Sequence, residues 1–268
     1  MNWRSWVIPP AVSSWAASRS HAVTRLDDSV GDWKCAEEMS SGYDSALIVN
    51  QVLTATRAVL RGEVAFERDG VSFISPEYRW PVLAGLLNVA ARTGKLNVLD
   101  FGGSLGSVFW QHREFLTGLD LTWSVVEQPG FVSAGQQLEQ ESIVFFDSID
   151  SCVSSQSPNV LLLSSVLQYL PDPKSTLAQL LTPEIDTVII DRTPMSDSAR
   201  NTATVQVVPD HIYSGSYPAW IFSRTWLYEQ LVGFTVVAEF PGIEPTGRTA
   251  SGLNFDWNGL IAQRSSSD

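Results

Sequence analysis

Apolar and polar positions change their rhythm once along this chain. Up to about residue 94 they recur at helical spacing. Ala46, Val49, Val52, Leu53, Thr56, Val59 and Leu60 fall on one face of a helix starting near Ser45, with Asp44 as its cap and Gly62 at its end. A second helix is predicted from Pro81 to about Arg92, with Leu83, Leu86, Leu87 and Ala90 toward a core. Between them, Arg68-Asp69-Gly70 reads as a hairpin turn joining short strands. From Leu96 onward short apolar runs alternate with helical stretches. Strands are predicted at Leu96–Asp100, Leu121–Glu127, Ser142–Phe146, Val160–Ser164 and Asp186–Asp191, and helices at Ser107–Leu116, near Val132–Gln140 and near Lys174–Leu181. That alternation predicts an α/β fold on a parallel sheet with right-handed crossovers. The run Val160-Leu161-Leu162-Leu163 is apolar on both faces, as a central parallel strand should be.

Beyond Asp191 the rhythm breaks. Residues at about 192–222 are expected to form a long segment serving as a lid or substrate wall, because Tyr213, Tyr217 and Trp220 argue against disorder. A surface excursion that only packs down is the alternative. Ser223 caps a helix to Val232, and Phe234–Phe240 with Phe255–Gln263 read as a terminal hairpin closing the sheet. Met1–Asp32 has no strong periodicity but carries Trp3, Trp6 and Trp15, and Ser265–Asp268 reads as a frayed tail.

Charge narrows the partners. With 17 Lys and Arg against 29 Asp and Glu, the formal net charge is −12, which repels phosphate backbones and argues against nucleic acid as the main substrate. The cysteines, Cys35 and Cys152, are far apart, and with His21, His112 and His211 they give no metal-ligand spacing. The first residues lack the apolar stretch of a secretory signal and no run approaches membrane-spanning length, so a cytoplasmic protein is expected. No oligomeric state is implied.

Candidate chemistry lies in Leu96 to Gly106, read L-N-V-L-D-F-G-G-S-L-G. An apolar strand ends in a carboxylate, a glycine-rich turn follows, and a helix begins, the unit that opens a nucleotide-binding half-sheet. Gly102 and Gly106 allow a tight turn and close backbone approach. About 25 residues past the loop, Glu127 ends the next strand, where a carboxylate can hold ribose hydroxyls. Asp100 before the turn suits a ligand with a cationic ammonium better than a pyrophosphate. An ordinary strand-to-helix turn is the plain alternative for the loop alone.

Taken together these segments resemble the class I S-adenosylmethionine (SAM)-dependent methyltransferase superfamily. More closely, they resemble an uncharacterised bacterial methyltransferase family often encoded among surface-polysaccharide genes. The matching residues are Gly42–Asp44, Arg68–Gly70, the glycine loop, Val125–Pro129, Leu163–Pro173, Asp191–Pro194 and Ser216–Trp220. The resemblance implies a Rossmann-like seven-stranded sheet, mostly parallel with a terminal antiparallel hairpin. An N-terminal mainly helical cap at 1–94 would precede the SAM-binding domain at 95–268.

It also implies roles for particular residues. Asp100 with the backbone of Gly102 and Gly103 would hold the methionine amino group of SAM, and Gly106 would allow its close approach. Ser104 stands where the commonest loop has its middle glycine. Glu127 would bind the ribose, with Gln128 beside the adenosine. Phe146 and Asp147 would meet the adenine, and Ser164 and Ser165 would lie near the sulfonium. No metal is implied. His211 is the candidate general base, a surface or hydrogen-bonded structural histidine being the plain alternative, and Tyr213 and Tyr217 are candidates to orient an acceptor. Arg192 and Trp220 are substrate candidates, a salt bridge being at least as good a reading of Arg192. The expected activity is methyl transfer to a small polar acceptor, such as a hydroxyl of a sugar, glycan precursor or specialised metabolite. A nicotinamide oxidoreductase and a non-catalytic SAM-binding protein are the alternatives.

Overall fold

The computed structural model describes residues 25–41, 45–138, 140–208 and 215–265. The first described strand, β1 (Arg25–Asp27), leads to helix α1 (Trp33–Met39), whose cap Asp32 accepts from the Cys35 amide at 2.8 Å. Helix α2 (Ser45–Leu60) buries Val52, Leu53, Ala55, Thr56 and Val59, a stripe at three- and four-residue spacing, while Leu60 stays exposed. Strands β2 (Phe66–Arg68) and β3 (Val71–Phe73) form the expected hairpin. Asp69 and Gly70 turn it with φ of 54° and 75°, the left-handed pair that Asp-Gly accommodates. Helix α3 (Trp80–Thr93) has Pro81 in its first turn and ends at Gly94, whose amide donates to the Ala90 carbonyl.

From there the predicted alternation holds: β4 (Leu96–Phe101), α4 (Ser107–Leu116), β5 (Leu121–Val126), α5 (Pro129–Gly135), β6 (Ile143–Phe146), α6 (Ile149–Gln156), β7 (Val160–Ser164), α7 (Pro173–Leu180) and β8 (Thr187–Ser196). Helix α5 starts and ends earlier than its apolar spacing predicts, because Pro129 suits a first helical turn. Helix α6 is unanticipated: its serine-rich sequence buries only Cys152, so no stripe announces it, and Ser148 caps it. The chain ends with β9 (Thr202–Val208), β10 (Gly215–Ser223), α8 (Arg224–Gln230), β11 (Phe234–Pro241), β12 (Gly247–Arg248) and β13 (Asn254–Arg264).

Strands β6, β5, β4, β7 and β8 lie side by side in parallel; β13 pairs antiparallel with β8 and β11 antiparallel with β13. This is the Rossmann-like order with a closing antiparallel hairpin. Alternate residues feed two cores. Val98, Val160, Leu162 and Ile189 pack with Val82, Leu83 and Leu86 of α3, so this N-terminal helix belongs to the body of the sheet. Leu99, Leu161, Leu163 and Ile190 pack on the other face with Leu177 of α7 and Leu227 of α8.

The described residues of the segment at 192–222 lie largely in paired strands. Strand β8 continues to Ser196, and β7 stops at Ser164, so the upper part of β8 lacks a neighbour on that side. Strand β10 takes the place, pairing Phe222 with Met195 in parallel. Strand β9 adds antiparallel to β10, and β1 to β9, extending the sheet beyond β8. Trp33 of α1 stacks on Trp220 with centroids 5.1 Å apart, which docks α1 against this sheet. No helix among the described residues is long and apolar enough to cross a membrane.

Candidate functional site

Four parallel strands end side by side at the glycine loop. The Gly102 amide donates to the Val126 carbonyl at 2.9 Å and the Glu127 amide to the Phe146 carbonyl at 3.0 Å, which locks the ends of β4, β5 and β6 together. Gly102 (φ 69°) crosses directly over Val166, where a Cβ would overlap the valine side chain. Ser104 adopts φ 57°, in the left-handed region that favours glycine. The Ser104 amide donates to Glu127 Oε1 at 3.2 Å, and Glu127 Oε2 accepts from the Gln128 amide at 2.7 Å. Burial raises the Glu127 carboxyl above its ordinary range, and these two amides pull it partly back.

Asp100 sits one layer lower. It is fully buried, and a Cβ on Gly103 would overlap its carboxyl, so the bare Gly103 backbone separates it from the space above. Trp123 Nε1 donates to its Oδ2 at 3.1 Å, and its Oδ1 has no partner. Burial pushes the carboxyl up to about 7, the Trp123 bond opposing and the Glu127 charge adding to the rise.

Above the loop lies a cleft roofed by the β2–β3 turn. Glu67, Arg68 and Asp69 line it from above, Gly102, Gly103 and Ser104 from below, and Arg79, Asp191 and Arg192 at one end. Asp191, midway along β8, is 1% exposed and takes a two-pronged bond from Arg79, at 2.5 Å from Nη2 and 3.2 Å from Nε. Ser164 Oγ donates to the same carboxylate at 3.4 Å. The Arg79 amide donates to His112 Nε2 at 2.9 Å, which fixes the proton on Nδ1, donating to the Val108 carbonyl at 2.7 Å. Burial lowers the His112 pKa, in keeping with a neutral ring.

The structure thus brings Gly102, Gly103, Ser104, Glu127, Phe146 and Ser164 to one edge of the sheet, with Gln128 and Asp147 exposed beside them. Gly106 (φ 85°) opens α4 against Ile143. Ser165 (φ 57°) donates its amide to the Asp191 carbonyl and accepts from Gln168 Nε2 at 3.1 Å. Arg192 is held between Asp69 at 2.8 Å and Glu244 at 2.6 Å. Burial alone would lower its pKa, but the two carboxylates raise it well above the ordinary value. Tyr217 and Trp220 are an odd number of residues apart on β10 and face opposite sides of it. Tyr217 accepts from Gln206 Nε2 at 3.1 Å, while Trp220 Nε1 donates to the Leu170 carbonyl at 3.0 Å. His211 and Tyr213 lie outside the described residues, as do Gly42–Asp44. Sequence reasoning missed Glu67 and Arg79, which carry no motif of their own. The one signal was their nearness to Arg68-Asp69-Gly70 and Pro81.

A comparison with protein-family models gives no match, and one with curated proteins gives none. Among solved structures the chain is similar to the N-terminal domain of EvdMO1, crystallised in the presence of SAH and D-fucose. The identity is 12% over 84% of this chain and 100% of that one, with a TM-score of 0.48. It is also similar to a Burkholderia thailandensis 1,6-didemethyltoxoflavin-N1-methyltransferase, at 17% identity over 84% of this chain and 93% of that one, TM-score 0.40. A third is the glycopeptide N-methyltransferase MtfA complexed with sinefungin, at 14% identity over 69% of this chain and 87% of that one, TM-score 0.43.

Proposed function

We propose that this protein is a SAM-dependent methyltransferase acting on a hydroxyl of a small polar acceptor, such as a sugar, glycan precursor or specialised metabolite. The observation that carries this reading is the bond from the Ser104 amide in the glycine loop to Glu127 at the end of the next strand. It places a carboxylate and bare backbone together where open α/β sheets take nucleosides.

The residues fit the cofactor. Each Glu127 oxygen accepts one backbone N–H and keeps a lone pair for a ribose hydroxyl. Gly102 and Gly103 offer backbone without side chains in the way, Phe146 and Asp147 end the neighbouring strand for an adenine, and Ser164 and Ser165 end the next. SAM, when bound, supplies an activated methyl group. The protein's own task is then to align the acceptor and exclude water. His211 takes the acceptor proton, and Tyr213 and Tyr217 orient the acceptor. Arg192 meets an acidic acceptor only by exchanging Asp69 or Glu244.

Calorimetric titration with SAM, S-adenosylhomocysteine and NAD tests the reading. Binding of the first two without NAD is expected. Binding of NAD alone would turn the assignment to a nicotinamide oxidoreductase, and SAM binding with no turnover on a broad acceptor panel would favour a non-catalytic role.

A further inference from the structure

The hairpin roofing the cleft carries two charges that none of these roles uses. Glu67 and Arg68 are consecutive, and both line the cleft above Gly103 and Ser104. Glu67 is 1% exposed; its oxygens accept from the Ser107 hydroxyl and, at 3.1 Å, from the Gly70 amide. Among the described residues no cation forms an ion pair with it. Arg68 stands 5.3 Å from the ring centres of both Phe66 and Phe73, which hold its guanidinium in place. Among the described residues its hydrogen-bond acceptor is Glu77, at 3.2 Å through Nη2, and that carboxylate is half exposed. The neighbouring Arg192 is saturated by Asp69 and Glu244. The cleft therefore presents a buried acid held only by neutral donors beside a largely buried base whose one carboxylate partner is half exposed. Ionisation agrees: burial pushes Glu67 up to about 7, and burial together with Arg192 lowers Arg68. Asp100 is fully buried and is not among the residues that line the cleft.

We infer that Glu67 and Arg68 form a subsite for an α-amino-acid zwitterion, Glu67 facing the ammonium and Arg68 the carboxylate, and that it takes the amino-acid end of the adenosyl cofactor. The inference rests on the function proposed above. It moves the counter-charge of the ammonium from the strand end to the hairpin, so that a segment outside the glycine-loop motif selects SAM over shorter nucleosides.

Two ligands separate the subsite from the rest of the site. S-adenosylhomocysteine carries the amino-acid end, and 5′-methylthioadenosine is the same nucleoside thioether without it. Calorimetry should show Arg68→Met weakening S-adenosylhomocysteine about 10- to 100-fold, as expected for losing a charge-assisted pair. Methylthioadenosine should stay within about twofold, which also shows that the variant is folded. Arg68→Lys should recover part of the loss, and Glu67→Gln should weaken S-adenosylhomocysteine about tenfold. Equal loss for both ligands, or loss for neither, overturns the subsite. Unchanged affinity in Glu67→Gln alone overturns the ammonium half and returns that role to Asp100. Wild-type protein that binds neither ligand overturns the proposed function and this inference with it.

Discussion

Glu127 holds the site together through two backbone amides, so its removal does two things at once. Glu127→Ala frees the Ser104 amide and deletes the acceptor proposed for a ribose. Affinity for adenosyl ligands should fall by about 1–3 kcal/mol in calorimetry, and unchanged affinity in a folded variant would remove Glu127 from the site. Glu67 has the opposite character, a carboxyl folded into a place that disfavours its charge. Its ordinary value near 4.5 rises to about 7 on folding. Between those pH values the folded chain holds a proton that the unfolded chain has released, so the contribution of Glu67 to stability is greatest below pH 4.5 and is lost as pH rises to about 7. Asp100 acts with the same sign. Glu67→Gln removes one such proton. In urea unfolding, the variant should gain on the wild type by on the order of 3 kcal/mol between pH 5 and pH 8. A gap that does not change with pH would show that Glu67 is not buried as described. Glu127 was legible in the sequence because its distance from the glycine loop is set by one βαβ unit. Glu67 was not, because only the tertiary docking of a three-residue strand on α4 turns it inward.

Between elements, the Arg79–Asp191 pair ties the start of α3 to the middle of β8, with the two side chains 11% and 1% exposed. Such a pair matters most when half of it is missing, since the remaining charge is buried and unpaired. Arg79→Met should cost about 3–5 kcal/mol in urea unfolding, and Arg79→Met with Asp191→Asn should recover much of it. Additive losses would mean that the two ends are not coupled. The sequence marks Asp191 as a strand end but gives no sign of its partner, which lies 112 positions away. Strand β9 is a different case. Thr202-Ala203-Thr204-Val205-Gln206-Val207 alternates as a strand should, and Ala203 and Val205 are buried. The reason for the strand is the open upper edge of β8, a fact of the assembled sheet. Helix α3, by contrast, was legible to within a residue at each end, because Pro81 and Gly94 mark it chemically.

At the scale of the molecule, most of the sheet could be read in order from the sequence, because each parallel strand is a short apolar run followed by its own helix. What that reading leaves open is how much the sheet depends on its last strand. Strand β13 lies between β8 and β11 and is hydrogen-bonded to both. Ile261 joins the core under α3, while Leu260 and Ala262 join the core under α7 and α8. Its partner β8 begins about 70 residues earlier, so the contact closes late and costs chain entropy before it stabilises anything. A chain lacking residues 254–268 would leave β8 and β11 with unpaired edges and open both cores at once. It should show no cooperative transition in urea, bind a dye for exposed apolar surface, and keep part of its helical circular dichroism. A cooperative transition in the truncated chain would mean that β4 to β8 with their helices stand alone and that the hairpin only covers their edge. The two outcomes assign the nucleoside site differently: to a scaffold complete only when the chain is, or to one finished at Ser196.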